Sequence, residues 1–357
     1  MYSVGIDTHS RQHAVCILGD EGNVVKEFTV RGGPGELLRR LELIDRPFQV
    51  CYEASLGYGL LHDALAPLAT RVQVAHPAEL RCIFKSKRKS DRIDARKLAR
   101  LLRLDEVPAI HVPTPFVREW RVTIEHRRRV VDKRTRAKNG LRALLRSLGI
   151  ASPRGAALWS RKGLAWAGAL AFTPLTALRR DQLVLEIEHL TGMVNAVSKA
   201  LDALAEKDPR VALLRTIPGV GPRTAEAVVA YIDKPERFSS SRRAAAYFGL
   251  VPLLDESADT KHYGHITRQG PATVRKLLVE ASWRALTLSP SLRAFFERVK
   301  GGKKDRTGKA LVAVAHRLVK VMLAMLKSGQ PWREEDPAGK EELTGKEELA
   351  GKEAVQA

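Results

Sequence analysis

Cysteine is scarce in this chain of 357 residues, which contains only Cys16, Cys51 and Cys82. Their spacing matches no zinc-binding pattern, and an odd number argues against a framework of disulfide bonds. Cys16 and Cys51 lie in apolar runs, so we expect both to be buried small hydrophobic residues. This usage is typical of a reducing environment, and the sequence therefore predicts a cytoplasmic protein.

Long apolar runs are also missing. The N-terminal stretch MYSVGIDTHSRQ has no extended apolar core, so no signal peptide is predicted. No segment reaches the roughly 20 apolar residues that a membrane-spanning helix needs. We therefore expect no association with a membrane.

Acidic residues are outnumbered, because 40 Asp and Glu stand against 61 Lys and Arg and leave a net charge of +21. Residues 331–357 carry eight acids and four bases, which gives this tail a charge of −4 and the rest of the chain +25. Such a high positive charge outside the tail favours a polyanionic partner, most often nucleic acid. A solvated basic surface without such a partner would have the same composition, so the motifs must decide.

Short apolar segments separated by turn residues fill the first hundred residues. Three of them follow one another through tight turns and predict an antiparallel meander, whereas the next ones alternate with helices and imply parallel crossovers. The predicted strands are 2–7, 12–19, 24–30, 48–53 and 71–75, and the predicted helices are 34–44, 59–69 and 91–103, the last capped by Ser90. This is the element order of an RNase H-like fold.

Beyond a proline-rich stretch ending at Pro115, the chain is predicted to be mostly helical. Two long helical patterns, 116–150 and 180–205, flank an irregular segment and form either an antiparallel hairpin or coiled-coil arm, or part of an ordinary bundle. The fold class is thus α/β followed by all-α. We expect an α/β domain at 1–112, a long-helix region at 113–208, a mostly helical domain at 209–330 and a disordered charged tail at 331–357.

Four carboxylates occupy positions that the predicted fold brings together: Asp7, Glu53, Asp91 and Asp94. The first two end strands that pair side by side, and the last two share one face at the start of a helix. Four converging carboxylates would repel each other without a cation, and hard oxygen ligands select Mg²⁺, with Mn²⁺ also suitable. Singly, each acid could be a turn former or a helix-end charge; together they favour a metal site.

Basic residues and a glycine-containing turn are candidates for nucleic-acid contact. Beside the acids lie Lys87, Arg88, Lys89 and Arg92, and the first long helix carries Arg127, Arg128, Arg129, Lys133 and Arg134. The segment Ile217-Pro218-Gly219-Val220-Gly221 resembles a helix–hairpin–helix turn, in which Gly219 and Gly221 let backbone N–H groups approach a phosphate. An ordinary turn between helices is the alternative.

Ser257 stands in a polar segment with Lys261 and Arg268 close in sequence. A serine that attacks a phosphodiester needs cations for its transition state and a route for its proton, and this segment could supply both. On spacing alone, Ser257 is interpreted as a surface loop serine.

Taken in order, these segments resemble the DEDD-type insertion-sequence transposases of the IS110 family, from Val4 to about Leu326. The matching pieces are Gly5-Ile6-Asp7, Tyr52-Glu53-Ala54, Lys89-Ser90-Asp91-Arg92-Ile93-Asp94-Ala95, Ile217-Pro218-Gly219-Val220-Gly221, Gly249-Leu250-Val251-Pro252 and Gly264-His265-Ile266-Thr267-Arg268. The resemblance implies a RuvC-like domain whose Mg²⁺-binding tetrad is Asp7, Glu53, Asp91 and Asp94.

The same resemblance implies a C-terminal domain with a catalytic serine, which falls on Ser257. Such enzymes form a covalent phosphoserine link to DNA, use a structured guide RNA from the element, and act as homo-oligomers, either dimers or tetramers. The family's Ser-Ser-Gly segment reads Glu256-Ser257-Ala258 here, so one serine remains and the permissive glycine is replaced.

The leading hypothesis is therefore a site-specific DNA recombinase that mobilises its own element. One alternative is a metal-dependent nuclease of the Holliday-junction type, in which water attacks and Ser257 is structural. Another is a non-catalytic nucleic-acid-binding protein that uses the long basic helix and the glycine-containing turn.

Overall fold

The computed structural model describes residues 1–55, 57–83, 90–257 and 260–334, with the backbone alone for 254–257 and 260–263. The chain divides into two compact units, Met1–Phe116 and the residues from Val117 onward. The first ends next to the proline-rich stretch where the sequence predicts a boundary. The predicted long-helix region and C-terminal domain belong to one unit, and all but the start of the predicted disordered tail lies outside the described residues.

A five-stranded mixed sheet forms the centre of the first unit, with the strand order β3-β2-β1-β4-β5. Strands β1 to β3 are antiparallel, whereas β4 runs parallel to β1 and β5 parallel to β4. The strands are β1 (Tyr2–Thr8), β2 (Gln12–Leu18), β3 (Val24–Arg31), β4 (Phe48–Glu53) and β5 (Arg71–Ala75), and the helices are α1 (Pro34–Leu41), α2 (Tyr58–Leu65), α3 (Pro77–Ile83) and α4 (Asp91–Arg103). The predicted strands and helices occur in the predicted order, and α3 is an additional helix that is not predicted from the sequence.

Helices cover both faces of this sheet. Alternate residues of β1 and β4, among them Val4, Ile6 and Tyr52, pack against α1 and α2. The opposite face carries Cys16 and Cys51 and packs against α4. Burial raises the pKa of each of these two thiols to about 12, which agrees with the prediction that both are buried apolar residues.

The second unit begins with two long helices, α5 (Pro115–Ser147) and α7 (Pro174–Ala205). Gly140 faces Leu183 and Arg127 contacts Ser198, so the two helices run antiparallel as a hairpin. The predicted start of the second helix at residue 180 is wrong, because Pro174 takes the first helical turn, where its missing N–H costs nothing. The segment expected to be irregular contains the 3₁₀ turn Ala157–Trp159 and α6 (Arg161–Ala169).

The hairpin has two separate cores. Near its base, Trp120 and Ile124 join the large core of the helical body. Farther out, Leu141 and Leu145 pack with Leu158, Leu164 and Ile187, so α6 covers the open end of the hairpin. The outer half of the two helices thus agrees with the hairpin interpretation, and the base agrees with the bundle interpretation.

The rest of the unit is a helical body with one small sheet. Its elements are α8 (Pro209–Leu214), α9 (Pro222–Ile232), α10 (Ser241–Tyr247), β6 (Pro252–Ser257), β7 (Thr260–Ile266), α11 (Ala272–Leu288), α12 (Pro290–Lys300) and α13 (Thr307–Ser328), with 3₁₀ turns at Pro235–Arg237 and Lys304–Arg306. The domain is mostly helical as predicted, and the antiparallel pair β6 and β7 is an addition that is not predicted from the sequence. Two short strands joined by a turn show no helical periodicity, so this segment is interpreted from the sequence as a polar loop.

Candidate active site

Two of the four predicted carboxylates lie at neighbouring strand ends. Strands β1 and β4 are parallel and pair Ile6 with Tyr52, so Asp7 and Glu53 follow at adjacent positions. Because side chains alternate between the faces of a strand, Asp7 shares a face with Gly5, and Glu53 shares one with Cys51. That is the face on which α4 packs.

Helix α4 lies unusually close to β1. A Cβ atom placed on Gly5 would be 2.0 Å from the Ala95 carbonyl oxygen and 2.4 Å from the Ala99 nitrogen. Gly5, Ala95 and Ala99 are therefore the small residues that allow strand and helix backbones to touch. Asp91 and Asp94 lie in the first turn of this helix and are held over the end of β1, where Asp7 is the last residue but one.

Ser90 occupies the N-cap position of α4 as predicted, with extended backbone dihedrals. Its side chain accepts no capping hydrogen bond, so the helix start agrees with the sequence prediction and the capping bond does not.

The carboxylates meet around a histidine that the sequence reasoning missed. Ligand atoms of Asp7, His9 and Asp91 all lie within 4.8 Å of one another. The His9 Nε2 atom is 3.5 Å from Asp7 Oδ2 and 3.7 Å from Asp91 Oδ1. Gln12 was missed too; its Nε2 donates a 3.2 Å hydrogen bond to Asp91 Oδ2. The short link from β1 to β2 brings both residues back beside the end of β1.

Asp94 and Glu53 stand slightly apart from this group. Asp94 Oδ1 accepts a 2.9 Å hydrogen bond from Lys97 Nζ, one turn farther along α4. Both carboxylates nevertheless act on Asp7 electrostatically. The structure therefore brings Asp7 and Asp91 into direct proximity and leaves Asp94 and Glu53 at the rim.

The electrostatics of Asp7 are those of a site that suits a cation. Burial raises the pKa of Asp7 first, His9 opposes that rise, and Asp91, Asp94 and Glu53 add to it. A carboxylate that loses solvent and faces three others is stabilised in its charged form by a positive ion. The donor set of carboxylate oxygens with one imidazole nitrogen fits a hard or borderline divalent cation.

Ser257 is the last residue of β6 and pairs in register with Thr260 of β7. The polar loop predicted here is instead the end of a strand. Lys261 pairs with Glu256 in the same ladder, while the side chains of Ser257 and Lys261 lie outside the described part. Arg268, just after β7, is exposed and has a positive φ of 54°.

Two family models match the chain. A DEDD transposase model of the IS110 type matches residues 4–150, and the model of the transposase IS116/IS110/IS902 family matches residues 211–297. The chain belongs to the IS110 family of transposases. The match covers the sheet, α4 and all of α5, and then the body from α8 into α12.

Proteins similar in sequence to this chain include other transposases of insertion sequences. The chain is 26% identical over 295 residues to the transposase for insertion sequence element IS1111A of Coxiella burnetii, which covers 80% of this chain and 79% of the relative. It is 26% identical over 239 residues to the transposase for IS1328 of Yersinia enterocolitica, with 66% and 70% covered. A 43.6 kDa protein of insertion element IS110 from Streptomyces coelicolor is 28% identical over 144 residues, which is 40% of this chain and 35% of that protein.

The transposase is therefore an enzyme that acts on DNA. Membership of a DEDD family indicates dependence on a divalent metal, in agreement with the acidic cluster. Among the described residues, no helix has the length and apolar character to cross a membrane.

The predicted basic residues differ in what their side chains contact. Arg127 is half-buried and donates a 2.8 Å hydrogen bond to Ser198, and Arg128 pairs with Asp132 at 3.0 Å. Two neighbours, Arg129 and Lys133, are exposed. Arg134 is partly exposed, Arg92 is exposed beside Asp91, and Lys87, Arg88 and Lys89 lie outside the described residues.

The glycines of the turn before α9 have different surroundings. Gly219 has a φ of +85°, and a Cβ there would lie 2.4 Å from the backbone nitrogen of Ala285 in α11. Close packing of the turn on α11 thus accounts for Gly219. Gly221 is the N-cap of α9 and faces open space, so it remains the candidate for approach to a phosphate.

Proposed function

We propose that this transposase is a site-specific DNA recombinase that mobilises an insertion sequence. Its first unit would be an RNase H-like, RuvC-like domain, and the strand order β3-β2-β1-β4-β5 with helices on both faces supports that assignment. The observation that carries the proposal is the meeting of Asp7 with Asp91 under α4, in a position where Glu53 and Asp94 also raise the pKa of Asp7.

Asp7, Glu53, Asp91 and Asp94 are the proposed ligands of Mg²⁺, and Mn²⁺ suits the same oxygens. When bound, the cation supplies positive charge at the phosphate undergoing substitution. Gln12 holds the Asp91 carboxylate by its amide, and His9 lies between Asp7 and Asp91. Both are positioning residues in this proposal.

Ser257 is the proposed nucleophile. Its hydroxyl oxygen forms a bond to the phosphorus of a DNA strand while the bond from phosphorus to the leaving sugar oxygen breaks, and the serine proton ends on that sugar hydroxyl. Attack by a new DNA hydroxyl reverses these steps, rejoins the strands and frees the serine. Lys261 and Arg268 are the proposed cations for the developing charge.

The partners follow from the family resemblance and from charge. DNA is the substrate, a structured guide RNA selects the sites, and the active form is a homo-oligomer, a dimer or a tetramer. The turn containing Gly219 and Gly221 is proposed as a helix–hairpin–helix. Exposed bases such as Arg129 and Lys133 are proposed contacts to nucleic acid.

The test is a denaturing-gel assay for protein covalently attached to DNA, in cells that carry the flanks of the element. Wild type is compared with Ser257→Ala and Asp7→Asn, and Ser328→Ala serves as an exposed serine control from the same unit. We expect an adduct in wild type and in Ser328→Ala, and none in the other two.

A different pattern would select another function. Cleaved DNA without adduct, unchanged in Ser257→Ala and lost in Asp7→Asn, would establish the metal-dependent nuclease. Binding of DNA without cleavage by any variant, after guide RNA and DNA have been confirmed in the complex, would leave the non-catalytic binding protein.

A further inference from the structure

The outer part of the α5–α7 hairpin has an unusual charge. Residues 133–180 contain no Asp or Glu at all. In the same span there are eleven bases: Lys133, Arg134, Arg136, Lys138, Arg142, Arg146, Arg154, Arg161, Lys162, Arg179 and Arg180. A segment whose charges are all of one sign repels itself, so its folding is favoured when anions lie against it.

Four of these bases form a row along α5, which we call the basic row: Arg134, Lys138, Arg142 and Arg146. Residues four apart lie on one face of a helix, so the row extends for about 18 Å. Its outer end lines an open cavity of about 590 Å³ that is bordered by the loop of residues 149–155, where Arg154 adds a further charge.

An aromatic ring holds the middle of the row in place. Lys138 Nζ lies 4.9 Å from the centre of the Trp159 ring, and Arg142 Cζ lies 4.8 Å from it. Arg142 also donates a 3.3 Å hydrogen bond to the Gly155 carbonyl oxygen. The two cations are thus fixed side by side by groups that leave their charge uncompensated.

The row has no carboxylate partner in the part of the chain that the structure describes. Elsewhere on the same helix, a base pairs with an acid, as Arg128 does with Asp132. The pKa of Lys138 is lowered, first by burial and then by Arg134 and Arg142, which expresses the closeness of like charges. An arrangement that costs energy in the free protein is compensated when a polyanion binds.

We propose that the basic row and its cavity form a binding site for the phosphodiester backbone of nucleic acid, separate from the acidic centre. Phosphates of one duplex strand repeat every 3.4 Å along the axis, so the row matches roughly five of them. A second hairpin tip would be repelled, because it carries the same eleven bases and no acid. This proposal deepens the proposed function, on which it rests for the nature of the partner.

The test uses the full-length protein and fluorescence anisotropy with a single-stranded RNA, the same DNA sequence single-stranded, and its duplex. The double variant Arg142→Gln, Arg146→Gln is compared with Arg136→Gln, Lys199→Gln, which removes the same charge from exposed positions of α5 and α7 outside the row. We expect the first double variant to weaken binding at least tenfold and to reduce the slope of log affinity against log salt by about 1.4–1.8. The second double variant should weaken binding by less than twofold.

A charge-neutral variant adds a second readout. Trp159→Leu releases Lys138 and Arg142 without removing either, so binding should weaken two- to fivefold while the salt slope stays the same. Circular dichroism establishes that each variant is folded. Whichever of the three probes loses most affinity identifies RNA, single-stranded DNA or duplex as the ligand.

Three outcomes would overturn the proposal. Equal losses of affinity in the two double variants would mean that binding depends on general charge attraction. Unchanged affinity in both would show that the basic row does not bind nucleic acid. Loss of binding to phosphatidylserine vesicles, with nucleic-acid binding intact, would assign the row to a lipid surface. Binding is measured also in Asp7→Asn, so that failure of the row is distinguished from failure of the proposed chemistry.

Discussion

Gly5→Ala tests whether the close contact between β1 and α4 holds the carboxylates together. The new Cβ would lie 2.0 Å from the Ala95 carbonyl oxygen, where real Cβ atoms keep at least 3.0 Å, so α4 must move by about 1 Å or more. Overfilling of a packed core costs about 1–3 kcal/mol of unfolding free energy. Since Asp91 and Asp94 move with α4, a displacement of about 1 Å should reduce cleavage roughly 100-fold.

The assay combines adduct yield with thermal unfolding of the purified protein. Gly35→Ala is the matched control, because it lies in α1 of the same unit, has open space at its Cβ, and gains helix propensity. It should keep full activity and equal or greater stability. Nucleic-acid binding should survive in Gly5→Ala, because the basic row belongs to the other unit. Wild-type adduct yield in Gly5→Ala, with an unchanged melting temperature, would refute the role assigned to this contact.

Three further predictions concern stability and accessibility. Burial raises the pKa of Glu226 to about 7, above the 4.5 of the unfolded chain. Ionisation of Glu226 should therefore lower the unfolding free energy by up to about 3 kcal/mol as pH rises from about 4.5 to 7. Glu226→Gln should remove that pH dependence in urea titrations at several pH values, and equal pH dependence in wild type and variant would contradict it. Gly219→Ala should lower the unfolding free energy by about 2 kcal/mol or more, because a Cβ meets α11 and φ is positive, and an unchanged denaturation midpoint would show that the turn adapts. Cys82 is exposed whereas Cys16 and Cys51 are buried, so a thiol reagent should label one cysteine in the native protein and three in denaturant, and rapid native labelling of more than one would disprove the packing of α4.

The first unit could be predicted well from its sequence. Apolar segments with turn residues between them locate the strands, and the RNase H-like order of the elements then places the ends of β1 and β4, with Asp7 and Glu53, side by side. Asp91 and Asp94 follow from a helix start that is visible in the sequence.

His9 and Gln12 could not be predicted, because their place beside Asp7 and Asp91 depends on how tightly the chain turns from β1 into β2. A histidine two residues after an aspartate carries no signal by itself.

The long helix α5 shows a second limit. Bases occur all around it, so the sequence alone could not tell that Arg127 packs inward on Ser198 while Arg142 lies at an outer cavity. The direction of a helix face is decided by its neighbours, here α6 and α7. For the same reason, the sequence could not show that Gly219 packs closely on α11.

The length of the hairpin makes it a molecular spacer. Trp120 anchors α5 in the helical body, and Arg142 lies about 33 Å farther along the helix at 1.5 Å per residue. One turn of B-form DNA measures roughly 34 Å. Under the proposed function, nucleic acid bound at the tip and nucleic acid bound at the body would be kept about one duplex turn apart, and removal of seven residues from each long helix would shorten that separation by about three base pairs.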